Sequence, residues 1–496
     1  MNNVVTKSTL AERHEAARSS LPKVEIIIGD ERRTTGSGGV HQHVNPSTGQ
    51  VQAEIPLASA KEVDEAVRAA RAAFPAWSAW NPARRREVLQ RFAELVRDYP
   101  HWSPLQGLES GMPLGVADSG AAAAYDWGSY AAGWADRLDG QVTTHDAEQG
   151  FVYTIHEPVG VVAAIITWNA PLISLAMKIP AALASGNTVV LKPDVQTSFS
   201  AVPWIELGRQ AGLPDGVLNL LPGGIEAGEA LVAHPDVNKI SFTGGPPTAS
   251  AIMRGASHSL TPLVLELGGK GANIIFDDAN LDEAVGFQCN FSLVNTGQGC
   301  SLPTRLLVQR GVYDEVVSRI EAFVGGLSIG DPLEPGHIGG PVINEAALTR
   351  ILGTIVSAKA SGAGRLLVGG ERLGGELADG YFVSNTVFVD VDPTSDLAMK
   401  EIFGPVMAVT PFDTEADAVQ IANSTPYGLS NYLQTPDARR IRRIIPQLKS
   451  GTVGVNTGVA YSPTAPYGGV GRSGFGREGG RLGVEEFTNI KTVLER

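Results

Sequence analysis

The sequence predicts an α/β protein with more than one domain. From residue 159 onward, short β-branched runs alternate with helical patterns, which is the signature of βαβ units in a parallel sheet. The alternation resumes beyond residue 267 with a second set of runs. The chain is 496 residues long and 43% hydrophobic, which is ample for two sizeable cores.

The elements follow in order. Residues 45–50 read NPSTGQ and lead into a strand-like VQAEIPLA at 51–58. In SAKEVDEAVRAARAAFPAW from 59, Ser59 is placed to cap a helix whose apolar face holds Val63, Ala66, Val67 and Ala70. VGVVAAIIT at 159–167 then runs into a helix through Leu183, and NTVVLKP precedes SFSAVPWIELGRQAG. GVLNLLPG is followed by IEAGEALVAH, and VNKISFTG by a small-residue helix. After LVLELGGKGANIIFDDA, the segments RLLVQ, VYDEVVSRIEAFVGGL, GYFVSNTVFVDV and AVTPFD build a second α/β unit. The last 29 residues are glycine-rich and then strand-like, which suggests an arm. In such sheets ligands bind beyond the carboxyl ends of the strands. Asn169, Lys192, Gly223 and Gly244 all fall there.

Composition narrows the function. There are 39 basic against 52 acidic residues, a formal charge of −13, so a surface that tracks nucleic-acid phosphates is not expected. Two cysteines cannot build a disulfide framework and fit a reducing compartment, with the cytoplasm as the expectation. The polar amino terminus lacks the apolar core of a secretory signal. The most apolar stretch, 159–186, is interrupted by Asn169, Pro171, Lys178 and Pro180, which argues against a membrane span. The histidines, including HQH at 41–43, show no metal-ligand spacing, and no metal is expected.

One cysteine stands apart. Cys300 lies in NTGQGCSLPTR, between glycines and polar residues, where backbone can approach closely and a thiolate can be stabilised. Cys289, in GFQCNFSL, reads as packing. Glu266 sits in the apolar run LVLELGG, where loss of water raises a carboxyl pKa towards that of a base working at neutral pH. Asn169 at a strand-to-helix boundary is either an oxyanion donor or a helix cap. Gly223, Gly224 and Gly228 lie between a strand and a helix, where backbone can approach a pyrophosphate, although a tight turn explains them equally.

Taken together, TWNAPL at 167, LKPDVQT at 191, LELGGKGANI at 265, GQGCSLPTR at 297, KEIFGPV at 400 and APYGGVGRSGFGRE at 465 resemble the aldehyde dehydrogenase superfamily, in its non-acylating branch, from about residue 45 to the end. The resemblance implies a Rossmann-type cofactor domain (1–138 and 159–268), a catalytic domain (269–475) and an oligomerisation β-arm (139–158 and 476–496) of a homodimer or homotetramer. It implies Cys300 as nucleophile, Asn169 as oxyanion donor and Glu266 as general base, with Lys178 and Glu478 moving protons nearby. A surface salt bridge is the plain alternative for those last two.

For NAD or NADP the resemblance points to Ile166, Thr167, Trp168, Lys192, Gly223, Gly224, Gly228, Phe242, Thr243, Gly244, Gly245, Leu267, Glu401 and Phe403. Gly245 stands where a serine is common, ahead of the unusual pair Pro246 and Pro247. Val195 stands where NAD-preferring members often carry a glutamate, so the repulsion of a 2′-phosphate is absent and nucleotide preference is open. The aldehyde tunnel would be lined by Ala170, Leu172, Met177, Val294, Ser301, Tyr461 and Tyr467. Ala170, Met177 and Val294 replace aromatics found in members acting on small aldehydes, which suggests a wide apolar pocket for a bulky or aromatic aldehyde. Arg305 is expected to be a structural contact. A coenzyme A-acylating enzyme, and a non-catalytic binding protein on the same fold, are the alternatives.

Overall fold

The computed structural model describes residues 8–146, 150–457 and 461–495. Parts of the expected domains, 1–7, 147–149, 458–460 and 496, lie outside the described residues. Among the described residues no helix is long and apolar enough to cross a membrane.

The alternating segments form an eight-stranded sheet. Its order is Gly474–Phe475, Leu263–Leu267, Lys239–Gly244, Val161–Ile165, Thr188–Lys192, Leu218–Leu220, Ile26–Ile28 and Glu31–Arg33. The middle five strands are parallel. They read as nearly continuous aliphatic runs because helices cover both faces. The chain steps from Val161–Ile165 towards one edge, then returns to place Lys239–Gly244 on its other side. That reversal opens a crevice beyond the carboxyl ends of these two strands. Helix Pro171–Ala184 starts from the crevice with Pro171 at its first turn, and all but Met177 of its residues are buried.

A second sheet of seven strands has the order Arg365–Val368, Thr386–Val389, Val406–Phe412, Arg305–Gln309, Ala272–Ile275, Ser430–Gln434 and Thr452–Val455. It is parallel except for Arg365–Val368. Leu263–Leu267 and Ala272–Ile275, one in each sheet, are joined by Gly268–Gly271 alone. A third sheet pairs Gly150–Pro158 with Val142–Asp146 and Thr488–Glu495. Within the expected arm segment 476–496 the strand begins only at Thr488, and Glu478, Val484 and Phe487 are buried. Gly474–Phe475, expected in the catalytic domain, hydrogen-bonds to the edge of the first sheet. That pairing requires glycine, because a side chain at Gly474 would strike the Leu265 carbonyl at 1.9 Å.

A buried polar chain ties the amino-terminal helix Leu10–Arg18, through the two-stranded sheet of Val40–Val44 and Val51–Pro56, to the turn Val195–Thr197 that follows the strand Thr188–Lys192. Asn45 Nδ2 donates to His14 Nδ1 (2.9 Å) and to Gln52 Oε1 (3.1 Å). Gln52 Nε2 donates to His43 Nδ1 (3.1 Å) and to the Leu108 carbonyl (2.7 Å). These donors fix both histidine tautomers, so His43 Nε2 donates to the Gln196 carbonyl (2.8 Å) and His14 Nε2 to Asp331 (2.8 Å). Burial holds His43 down at about 4, so it stays neutral.

Candidate active site

The segment before Cys300 is held in an uncommon conformation. Asn295, Thr296 and Gly297 follow one another with φ of 51°, 56° and 67°, a left-handed run that two non-glycine residues adopt only when the surroundings compel it. Here they do. Asn295 N–H donates to the Ile338 carbonyl (2.8 Å), Thr296 Oγ1 to the Gly340 carbonyl (2.7 Å), and Gln298 Nε2 to the Pro341 carbonyl (3.3 Å). Gln298 Oε1 accepts from Ile343 N–H (3.0 Å). Gly297 lies against the Gly404 carbonyl, which a side chain would strike at 2.1 Å.

Cys300 emerges from this loop partly buried. Burial pushes its thiol up to about 11, the Tyr467 hydroxyl draws it back, and the charges of Glu401 and Glu266 raise it. Cys289 is fully buried and inert, its thiol pushed up to about 12 by burial. Asn169 is not the helix cap: Ala170 holds that position, and no side chain caps the helix. Its Nδ2 instead donates to the Gln298 main-chain carbonyl (3.0 Å), and the Asn169 main-chain carbonyl accepts from Asn295 Nδ2 (3.2 Å). The amide is thereby fixed beside the cysteine loop, with a second N–H still to give.

Glu266, on the strand Leu263–Leu267, is 4% exposed, and neither carboxylate oxygen has a hydrogen-bond partner among the described residues. Oε1 lies over Gly468, where a side chain would sit 2.6 Å away. Burial first, and the charge of Glu478 second, raise its pKa well above the carboxylate range, while Lys178 and Arg477 oppose them. Lys178 pairs with Glu478 and donates to Ser241 Oγ (3.0 Å). The surface reading of that pair is corrected: the side chains are 1% and 2% exposed, because helix Pro171–Ala184 and the Arg477–Glu478 segment close over them.

Across the crevice, helix Ile225–Ala233 starts at Gly224 and helix Pro246–Ala256 at Gly245, and neither has a side-chain cap. The first N–H groups of Ile225–Ala233 are open to an anion, whereas Pro246 and Pro247 have none, so the second helix presents its first N–H only at Thr248. Nothing lies within 4 Å of where a Gly224 side chain would start, whereas Gly223 must be small to clear Ala227. Lys192 runs its side chain alongside Gly228, 3.6 Å from a Cβ placed there, and burial lowers its pKa against the pull of Asp194. Ile166 N–H donates to the Lys192 carbonyl (3.1 Å). The buried Phe242 ring folds over Gly244, and Thr243 and Gly244 lie opposite Glu266 and Leu267 in register. Glu401 Oε1 accepts from Gly269 N–H (2.9 Å), and burial pushes its carboxyl up to about 7. Phe403, at φ 53°, packs edge-on against Trp168 at 5.3 Å; Thr167 is half-buried beside it in sequence. A crevice with two uncapped helix starts, a lysine and a carboxylate at its far end fits a dinucleotide.

Val195 opens a single turn, Val195–Thr197, capped by Asp194, whose carboxylate is occupied by Gln196 N–H (2.9 Å). Of the tunnel residues, Leu172, Met177 and Tyr467 share one apolar cluster with Cys300. Tyr461 packs against Tyr467 at 6.0 Å, and the Ser301 carbonyl accepts from Tyr432 Oη (3.0 Å). Val294 ends the helix before the cysteine loop, and Ala170 starts the one after Asn169. Arg305 is a structural contact, donating to the carbonyls of Lys270, Ile421 and Ala422. Among the described residues no group of three or more His, Cys, Asp or Glu could hold a metal. Sequence reasoning missed Gln298, Ser241 and Gly468, which carry no chemistry of their own and matter only through what they touch.

The family model described as Aldehyde dehydrogenase family matches residues 34–493. An aldehyde dehydrogenase of Emericella nidulans is 40% identical over 476 residues, 95% of each chain. The structure of a Staphylococcus aureus betaine aldehyde dehydrogenase in complex with NAD+ superposes with a TM-score of 0.93 at 32% identity, covering 98% of this chain and 97% of that one. An Escherichia coli structure described as an NADP dependent enzyme gives 0.92 at 34% identity, covering 96% and 98%. The motifs, the two sheets and these likenesses converge, and the chain belongs to the aldehyde dehydrogenase family.

Proposed function

We propose that this enzyme oxidises an aldehyde to its carboxylic acid with NAD or NADP, through a thiohemiacetal and then a thioester on Cys300. The observation that carries this reading is a thiol and an unpaired buried carboxylate, Cys300 and Glu266, beside an asparagine amide with one N–H to spare. The Cys300 thiolate adds to the carbonyl carbon, and Asn169 Nδ2 with the Cys300 backbone N–H donates to the alkoxide that forms. Bound nicotinamide would supply the hydride acceptor, and the residues that would hold it are Glu401, Phe403 and Trp168, with Lys192 toward the adenosine ribose and Gly224 and Gly245 toward the pyrophosphate. Glu266 then takes a proton from water that attacks the thioester, and Cys300 leaves as thiolate. Lys178 and Glu478 pass that proton on.

The small side chains at Ala170 and Val294 and the flexible Met177 favour a bulky or aromatic aldehyde. The absence of a free carboxylate at Val195 favours use of both nucleotides. The uncovered three-stranded sheet supports a homo-oligomer. The test is nicotinamide reduction by wild type and Cys300→Ala, with NAD and NADP, across short aliphatic, long aliphatic and aromatic aldehydes, with and without coenzyme A. Turnover lost in Cys300→Ala and highest for aromatic aldehydes is the expected result. Product formed only with coenzyme A would replace hydrolysis by acyl transfer, and no turnover with any pair would end the oxidoreductase reading.

A further inference from the structure

The Tyr467 hydroxyl faces the nucleophile itself. It lies 3.5 Å from Cys300 Sγ, and that is the one hydrogen bond it makes among the described residues. The ring is 5% exposed and sits in the apolar cluster with Leu172 and Met177. Its backbone is clamped in both directions, Tyr467 N–H to the Glu478 carbonyl (2.6 Å) and Glu478 N–H to the Tyr467 carbonyl (2.8 Å). A phenol taken out of water needs a partner, and a neutral thiol is a poor one. A thiolate is a strong one, because a hydrogen bond to an ion is about twice as strong as a neutral pair.

We propose that Tyr467 is a catalytic residue that donates its hydroxyl to the Cys300 thiolate and so supports ionisation of the nucleophile. This rests on Cys300 being the nucleophile, as proposed above. The charged groups facing the sulfur, Glu401 from the loop before Phe403 and Glu266 from the adjoining strand, disfavour its ionisation, as does burial, while the phenols Tyr432 and Tyr461 stand nearby un-ionised, their own pKa values raised by burial first. Tyr467 is the side chain that opposes them. Its own proton stays in place, since burial and the neighbouring negative groups hold its pKa well above the ordinary phenol value. The proton lost by Cys300 goes to external base.

The experiment is the pH dependence of alkylation by iodoacetamide, in which thiolate sulfur displaces iodide, comparing wild type, Tyr467→Phe and Cys300→Ala without nucleotide or aldehyde. Thiolate absorbance near 240 nm over the same pH range gives a second readout, and circular dichroism checks the fold. Tyr467→Phe is expected to move the apparent thiol pKa up by about one unit and to slow alkylation at pH 8 roughly tenfold. An unchanged profile in a folded Tyr467→Phe variant overturns the proposal, and would leave the hydroxyl as a contact for substrate. If instead Cys300→Ala still turns over aldehyde, the nucleophile assignment itself falls.

Discussion

At the scale of single residues, buried acids carry the expected pH dependence. Burial first, and the charge of Glu478 second, raise the Glu266 pKa well above the usual carboxylate range, so hydrolysis of the thioester should quicken as pH rises above that range. Glu266→Gln should form acyl-enzyme once and then stall, seen as a stoichiometric burst of reduced nicotinamide with steady turnover down at least ~100-fold. Glu109 offers a test on stability, away from the site. It is fully buried with Ser200 as its side-chain partner, and burial pushes its carboxyl up to about 8. Between the unfolded value near 4.5 and the folded value near 8 the folded state alone holds the proton, so stability falls with rising pH over that window and is level above it. Glu109→Gln removes the slope. The melting temperature of the variant relative to wild type should therefore climb from pH 5 to pH 8, by the equivalent of a few kcal/mol, and differential scanning calorimetry would read it. Cys300 and Glu266 were legible in the sequence because their neighbours are unusual for their type, glycines around a cysteine and aliphatics around a glutamate. The burial of Lys178 with Glu478 was not, since it depends on two segments 300 residues apart meeting.

At the scale of elements, the turns matter more than the strands. The strands could be read because parallel strands covered on both faces need continuous aliphatic runs. The left-handed Asn295–Thr296 pair could not, because backbone strain is stored by partners at Ile338, Gly340 and Pro341 that are remote in sequence. Gly297→Ala should push the loop that carries Cys300 off Gly404, the residue after Phe403. We expect kcat/KM to fall at least ~10-fold with both aldehyde and nucleotide affected, measured by steady-state kinetics. The Val195–Thr197 turn carries the nucleotide prediction. Val195→Glu should lower kcat/KM for NADP more than ~10-fold relative to NAD by returning a carboxylate to the 2′ side. His43→Leu breaks the polar chain at the Gln196 carbonyl and should raise KM for nucleotide while leaving kcat close to wild type.

At the scale of the whole molecule, the three-stranded sheet is out of proportion to its cover. Ile490 and Leu494 are 68% and 78% exposed and share a face opposite His156 and Val152, while Phe151 and Ile155 crop out on the other face. Apolar side chains on both faces of a projecting sheet predict assembly of copies. Light scattering should give a mass at least twice 52.1 kDa, and Ile490→Asp with Leu494→Asp should shift it to smaller species. The same stretch of chain has a further role. Tyr467 and Gly468 lie against Cys300 and Glu266, Glu478 pairs with Lys178, and only the short helix Gly480–Glu485 intervenes before Thr488–Glu495 enters the sheet. The candidate site and the exposed sheet are thus joined by one covalent tether with little slack. Dilution that separates the copies would loosen that tether, so turnover should fade with falling concentration while each subunit keeps its native circular dichroism.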